Sequence, residues 1–470
     1  MTNTPDTDTT LALLHAAIAR MPENVDAMIG LAGTYMRVGR LTEASDWCAR
    51  AGAIEQSTRV ARVHDAVDGA LVKQALREMI EGRMETAIET LAKARNRIAQ
   101  RYRALLQTTT QWLAEARGLA PEANTIRLSL PVWGETYVRA ACAGLLPTLL
   151  APGNLPALAQ KQKVRLEITT TARDRDAFAA APIVAALRRF ASIDTFIIPD
   201  EIVSDAPPPD FSYWVMSAGH HASMERACRA GSAVAFFTAD MLLSDGSLGA
   251  AQRLLDGGIK AVLTSALEVD RTKVAPASWN PGEPLALKGH DLVDHGLAQL
   301  GLDAAEEFHD GCRVLTPSSF AVAGGYAAYG FHFLPLMISA ELTRRPFVRD
   351  LLTVDTRIVR LSLGDLAPQG RVKIVTDPAE IAIASTLATS RGEQKAAAPS
   401  INALGKWGAS WCFEAADAAY FEWCFGHRVV FPFSGATIAP PDARERATTA
   451  EVVTAFRQHA ARRFAERKAS

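Results

Sequence analysis

The sequence predicts an all-α domain followed by an α/β domain built on a mainly parallel, doubly wound sheet. From Leu11 to about Gly118 the chain is rich in alanine, keeps apolar residues at helical spacing and holds one proline, Pro22. From Thr125 onward, short apolar runs bounded by turn residues alternate with helical stretches of about 10–15 residues, the mark of a parallel sheet. One of those runs, Ala233–Phe237, ends on Thr238-Ala239-Asp240. Open α/β sheets bind ligands at the C-terminal ends of their strands, and a carboxylate there suits a divalent cation held against a diphosphate. The plainer reading of Asp240 is an aspartate that ends a strand in a turn.

Composition bounds the function classes. A chain of 470 residues makes two to four domains at about 100–200 residues each. Its 49% apolar and 21% charged content is that of a soluble globular protein. A net charge of −1 gives no electrostatic case for nucleic acid or an anionic membrane. The 6 cysteines are scattered without CxxC or zinc spacing, so they read as reduced, buried thiols. The polar, acidic start MTNTPDTDTT is unlike a signal peptide, and no apolar run reaches about 18 residues. The expectation is a cytoplasmic protein with no membrane span and no nucleic-acid partner.

Residues 1–10 read as a disordered tail and 11–118 as the helical domain. Leu31, Ala32 and Tyr35 fall on one helix, Gly39-Arg40 makes a turn, and Ala44, Cys48 and Ala51 fall on the next. Small residues at 32, 44 and 51 let the paired helices approach closely, and Pro22 sits where a preceding unit would end. This resembles a tetratricopeptide repeat (TPR). A second copy, Gly82-Arg83 with Ala87, Leu91 and Ala94, follows 43 residues after the first instead of the roughly 34 of a regular array. So short an array is expected to pack against the rest of the chain or to bind a protein partner. The alternative is a generic antiparallel bundle.

After the boundary at Gly118–Asn124 come the strands Thr125–Leu130, Lys163–Thr171 and Ile193–Ile198. A proline-rich loop, 200–210, leads to a further possible strand at Phe211–Met216 and a helix at His220–Ala230. Then follow the Ala233 strand, a helix at Ser247–Leu255 and a strand at Lys260–Ser265. LSLPVWGE, LLPTLLAPGN, ITTTARDRD and RACRAGSAVAFFTADMLLSDGS occur in an order that resembles the GT-A glycosyltransferase domain, over about Asn124–Ala266. The family's metal motif is Asp-x-Asp; here Thr238 takes the first place and Asp240 the second.

The resemblance implies a GT-A-like, nucleotide-sugar-binding half at 124–266 and an acceptor-side half at 267–441, with a C-terminal helix at 442–470. It implies that Pro131 and Glu135 lie by the base and ribose, and that Thr170, Thr171 and Asp174 line the loop that contacts the base. Asp240 would ligate a Mn²⁺ or Mg²⁺ ion, if one is used, or bond the ribose. Asp245 would lie near the sugar. A late histidine completes the metal shell in such enzymes, which makes His332 a second metal candidate; the other reading is a core histidine.

Beyond residue 266 the residues speak less distinctly. His290, Asp291, Asp294 and His295 share helix faces without a known ligand spacing and read as a solvated face. The pair Gly324-Gly325 permits close backbone approach. Arg357–Leu363 and Arg371–Val375 read as strands near Asp365 and Asp377, and Asp355 also suits a strand end. Trp407–His427 is dense in aromatic rings, among them Trp411, Tyr420 and Trp423, and reads either as a sugar platform or as core. Glu414 and Asp417 are candidates for the base that takes the acceptor proton. The basic tail helix reads as a solvated face. No GxxxxGK[ST] loop and no GxGxxG after a strand is present, which counts against kinases and dehydrogenases. The expected function is transfer of a sugar from a nucleoside-diphosphate donor to a hydroxyl of a protein or glycan acceptor. The alternative is a non-catalytic TPR interaction protein with a degenerate transferase domain; another nucleotide-using α/β enzyme, such as a nucleotidyltransferase, is a third reading.

Overall fold

The computed structural model describes residues 6–469 apart from 204–210, 270–279, 281, 301–311, 317–318, 323–326, 331–332, 344–362, 364–365, 378–379, 387–399, 411, 413–414 and 432–439. It divides into two units. The first takes Met1–Ala114 and Pro199–Ala218, and the second takes most of the remainder.

Six helices lead the chain: α1 (Thr7–Arg20), α2 (Val25–Arg37), α3 (Leu41–Ile54), α4 (Thr58–Ile80), α5 (Met84–Ala92) and α6 (Arg97–Arg117). Helix α1 begins at Thr7, inside the segment expected to be a tail. Asn24 and Ser57 cap α2 and α4 by accepting from Ala27 N–H and Val60 N–H. Gly39 and Gly82 end α2 and α4 in the left-handed region, at φ 77° and 78°. Both ends close in the same way. Arg40 N–H donates to Tyr35 C=O at 2.9 Å and Arg83 N–H to Glu78 C=O at 2.8 Å, the six-to-one bond of a Schellman cap. Leu31, Ala32, Ala44, Cys48 and Ala51 are buried, as the repeat pattern requires, and so are Ala87 and Leu91. The second pair departs from the regular spacing because α4 has 23 residues where α2 has 13.

Buried carboxylates brace these helices. Asp68 on α4 accepts from Arg95 N–H and Asn96 N–H at 3.1 and 2.8 Å, at the start of α6. Glu78 accepts from the Thr90 hydroxyl at 2.8 Å, tying α4 to α5. The Cys48 thiol is pushed up to about 11 by burial and by the nearby Asp68. The expected strand at Phe211–Met216 is instead the first part of a helix, Phe211–Ala230. Phe211, Val215 and Ala218 recur at helical spacing and are buried, and the Phe211 ring stands edge-on to Tyr102 at 4.8 Å. Burial of that stripe outweighs the strand propensity of Phe, Tyr and Trp.

The second unit is built on a seven-stranded sheet. Its strands are β1 (Thr125–Pro131), β2 (Lys163–Thr171), β3 (Ser192–Ile198), β4 (Ala233–Phe236), β6 (Ala261–Thr264), β11 (Leu334–Ile338) and β12 (Val372–Ile374), in the order β12-β6-β11-β4-β1-β2-β3. All neighbouring pairs are parallel except those of β11, which runs antiparallel to β4 and β6. The sheet is therefore mainly parallel, as expected. It draws β11 and β12 from beyond residue 266, so the expected donor-half boundary does not divide it. Strand β1 is buried along its whole length, as a central parallel strand should be. Ile126, Leu128 and Leu130 enter the main apolar core, each burial being worth about 1.5–3 kcal/mol.

Two smaller sheets complete the unit. Strands β5 (Met241–Leu243), β7 (Ala266–Glu268) and β13 (Ile383–Ser385) form one, in the order β5-β13-β7. Strands β8 (Cys312–Thr316), β9 (Ser319–Val322), β10 (Ala327–Gly330) and β14 (Val429–Val430) form the other, in the order β14-β10-β9-β8. The aromatic-rich stretch supplies the helices Ile401–Ser410 and Ala415–Phe425. Tyr420 and Phe421 lie buried in apolar clusters, and Glu422 pairs with Arg457 of the C-terminal helix Ala443–Ala469. Among the described residues no helix is long and apolar enough to cross a membrane.

Candidate functional site

Strand order reverses at β1, which has β2 and β3 on one side and β4 on the other. Doubly wound sheets bind their ligands in the crevice beyond the C-terminal ends of the strands that flank such a point, here β1 and β4. Phe237 N–H donates to Ser129 C=O at 2.9 Å and carries the end of β4 along β1. The chain then turns through Thr238-Ala239-Asp240 into β5.

Asp240 is half-buried in that turn. The Thr238 hydroxyl donates to Asp240 Oδ1 at 2.6 Å and the Ser385 hydroxyl to Oδ2 at 2.8 Å. Thr386, next along the chain, donates its N–H and its hydroxyl to the Asp240 C=O at 2.7 and 3.0 Å. The residue in the place of the expected first aspartate therefore serves the second one. Ser385 and Thr386 were not singled out from the sequence. Their only signal there is a short apolar run, and their role depends on β13 pairing with β5.

The loops after β1 and β2 are fastened together. Val132 N–H donates to Thr169 C=O at 2.8 Å, and Gly134 N–H to Asp174 Oδ2 at 2.7 Å. Thr171 caps the helix Ala172–Ala180: its hydroxyl accepts from Asp174 N–H and donates to the Asp174 carboxylate. Asp174 and Thr171 thus tie the turn after β1 to the end of β2. Pro131 closes β1 and is buried. Thr170 is buried beside them, and among the described residues its hydroxyl has no hydrogen-bond partner. Glu135 opens the next helix on the surface and pairs with Arg139.

Asp245 has a structural partner as well. Its Oδ1 accepts from Gly153 N–H at 2.6 Å. A Cβ on Gly153 would stand 2.6 Å from Gly246 Cα, so the turns 151–154 and 244–247 touch backbone to backbone. The buried Asn154 seals the contact by donating to Thr148 C=O and Ser244 C=O and accepting from Leu248 N–H. Asp417 is fully buried in the helix Ala415–Phe425. His332, Glu414, Trp411, the pair Gly324-Gly325, Asp355, Asp365 and all of the expected strand Arg357–Leu363 except its buried last residue lie outside the described residues. His290, Asp291 and His295 are exposed on the helix Gly289–Leu300.

Beneath the crevice, the other face of β1 and β2 is ionic. Arg127 donates to Glu167 at 2.5 Å, to Glu122 at 3.0 Å and to Ser232 at 3.1 Å. Arg226 reaches Glu167 at 2.8 Å and stacks on Phe196. Arg165 joins Glu122 to Asp194. Burial opposes ionisation of Glu167, but Arg226, with Arg127 and Ser223, outweighs it and holds the carboxyl below its ordinary range. The hydrogen bond from Arg165 does the same for Glu122. Nearer the crevice, Ser129 and His220 share a hydrogen bond of 3.0 Å.

Among the described residues no group of three or more His, Cys, Asp or Glu side chains is gathered as a protein-caged metal would require. Asp240 offers one carboxylate with two hydroxyls beside it. That set fits a cation only where a diphosphate and water supply the other ligands, a manner of binding that Mg²⁺ accepts.

Residues 6–67 match the tetratricopeptide repeat family model. No curated protein matches the chain. Among solved structures it is similar to a variant of the O-GlcNAc transferase of Thermobaculum terrenum, at 12% identity and a TM-score of 0.16, over 97% of this chain and 90% of that one. So low a TM-score is not a shared superposition, and the functional reading rests on the site alone. The N-terminal helices are thus similar to a tetratricopeptide repeat, and the sheet that follows is a mainly parallel α/β one.

Proposed function

We propose that the α/β unit binds a nucleoside-diphosphate sugar and transfers the sugar to an acceptor hydroxyl. The observation that carries this reading is the Asp240 carboxylate, held by two hydroxyls in the turn that leads from the C-terminal end of β4 into β5. The crevice edge made by Pro131, Thr170, Thr171 and Asp174 takes the base and ribose, with Glu135 at its rim. Asp240 takes a ribose or sugar hydroxyl, or shares a divalent cation with the diphosphate. A bound Mn²⁺ or Mg²⁺ would offset the charge of the leaving diphosphate, and His332 would be its second protein ligand. The acceptor proton goes to a carboxylate. Asp245, Glu414 and Asp417 are the candidates, and complete burial weighs against Asp417. The TPR-like helices would hold the acceptor, a protein or a glycan.

A second reading has its own support. Thr238 replaces the first aspartate of the motif, and Glu135, Asp174 and Asp245 all engage protein partners. These features suit a non-catalytic interaction protein whose transferase unit has degenerated. A thermal-shift screen with UDP, GDP, CDP and their common sugars, with and without Mn²⁺, separates the two. A ligand at 100 times its Kd stabilises the fold by about 2.7 kcal/mol. The transferase reading expects a shift with one nucleotide class that disappears in Asp240→Ala. A folded protein that shifts with none of them supports the interaction protein instead.

A further inference from the structure

Ser385 lies 145 residues from Asp240 in sequence, yet its hydroxyl meets the Asp240 carboxylate at 2.8 Å. Thr238 meets the other oxygen at 2.6 Å. The backbone is held as firmly, because both donors of Thr386 converge on the Asp240 C=O. Register does the rest: Ser385 pairs with Met241, the residue after Asp240, across the antiparallel β5·β13 ladder. The side chain is therefore restrained at both oxygens and at its own peptide.

We propose that Ser385 is a positioning residue for ligand binding: with Thr238 it presets the Asp240 carboxylate to accept a hydrogen bond from a ribose or sugar hydroxyl of a nucleoside-diphosphate sugar. The proposal rests on the reading of Asp240 as a donor-binding residue. Its physical content is preorganisation. A carboxylate oxygen has two acceptor sites, so one hydroxyl on each oxygen leaves the other site open to a ligand. A carboxylate already held in place loses less freedom when the ligand arrives. Strand β13 is thus part of the site, although it lies outside the segment whose motifs mark the site in the sequence.

The experiment compares wild type with Ser385→Ala and Ser385→Thr in the full chain. Titrations with UDP, GDP and CDP are read by calorimetry, and crystal structures of all three proteins are read for the Asp240 rotamer. Ser385→Ala is expected to release the rotamer and to raise the Kd of whichever nucleotide binds wild type by about three- to tenfold, the worth of one immobilised side chain. Ser385→Thr, which keeps the hydroxyl, is expected to restore both. An unchanged Asp240 rotamer in Ser385→Ala, or an affinity loss that Ser385→Thr does not rescue, overturns the proposal. A wild type that binds no nucleotide overturns it too, and with it the donor-binding reading; a released rotamer would then mark Ser385 as structural only. An unchanged rotamer in a protein that does bind a nucleotide sinks the positioning role and spares the donor reading.

Discussion

Glu167 is fully buried, with the guanidinium groups of Arg127 and Arg226 both in hydrogen-bond contact. Removing its charge would leave two buried cations without their shared partner. Glu167→Gln is therefore expected to lower stability by about 3–5 kcal/mol, measured by urea denaturation. A change below about 1 kcal/mol would show that Glu122 and water suffice to hold the arginines. The sequence could not announce this group. Arg127, Glu167 and Arg226 are ordinary charged residues in the chain, and only the register of β1 on β2, with Ser129 opposite Glu167, gathers them under one helix. Asp174 and Asp245 show the same limit. The first partner of each is a backbone N–H of a neighbouring turn.

Among the elements, the helix pairs of the N-terminal unit were the most legible. Gly39 and Gly82 mark the turns, small residues mark the close approaches, and both signals are local. Because these glycines sit at positive φ, Gly39→Ala or Gly82→Ala should each cost about 1–2 kcal/mol, seen as a lower Tm by circular dichroism. An unchanged Tm would mean that the turn can adopt another cap. The rings of Phe211–Met216 suit a strand locally, yet the segment opens a helix. Its buried spacing, with Tyr102 against Phe211, decides for a helix. Strand β11 has no local signal of its own for a related reason: its antiparallel place between β4 and β6 joins it to segments roughly 100 and roughly 70 residues earlier in the chain.

Across the whole molecule, acid is the condition most apt to loosen the α/β unit. Glu122 and Glu167 have folded-state pKa values below the ordinary one, Glu122 chiefly through the Arg165 hydrogen bond and Glu167 through Arg226 against the opposing effect of burial. A carboxyl of this kind contributes stability that is complete above its unfolded value, about 4.3, and is lost as pH falls through the folded value. Stability should therefore be level in this respect near neutrality and fall below about pH 4, with a shallower fall in Glu122→Gln. Urea midpoints at a series of pH values would check it, and a slope unaltered in Glu122→Gln would remove this network as the cause. What the sequence determined by itself is what local pattern can encode: the helical repeats and their turns, the alternation that makes a parallel sheet, and an aspartate at the end of a buried strand. The tertiary structure alone decided which partners those residues meet. Ser385 on Asp240, Arg226 on Glu167 and Asp245 on Gly153 are contacts between segments distant in the chain. Such contacts follow from the order in which distant strands and turns come together, which the residues flanking each partner do not encode.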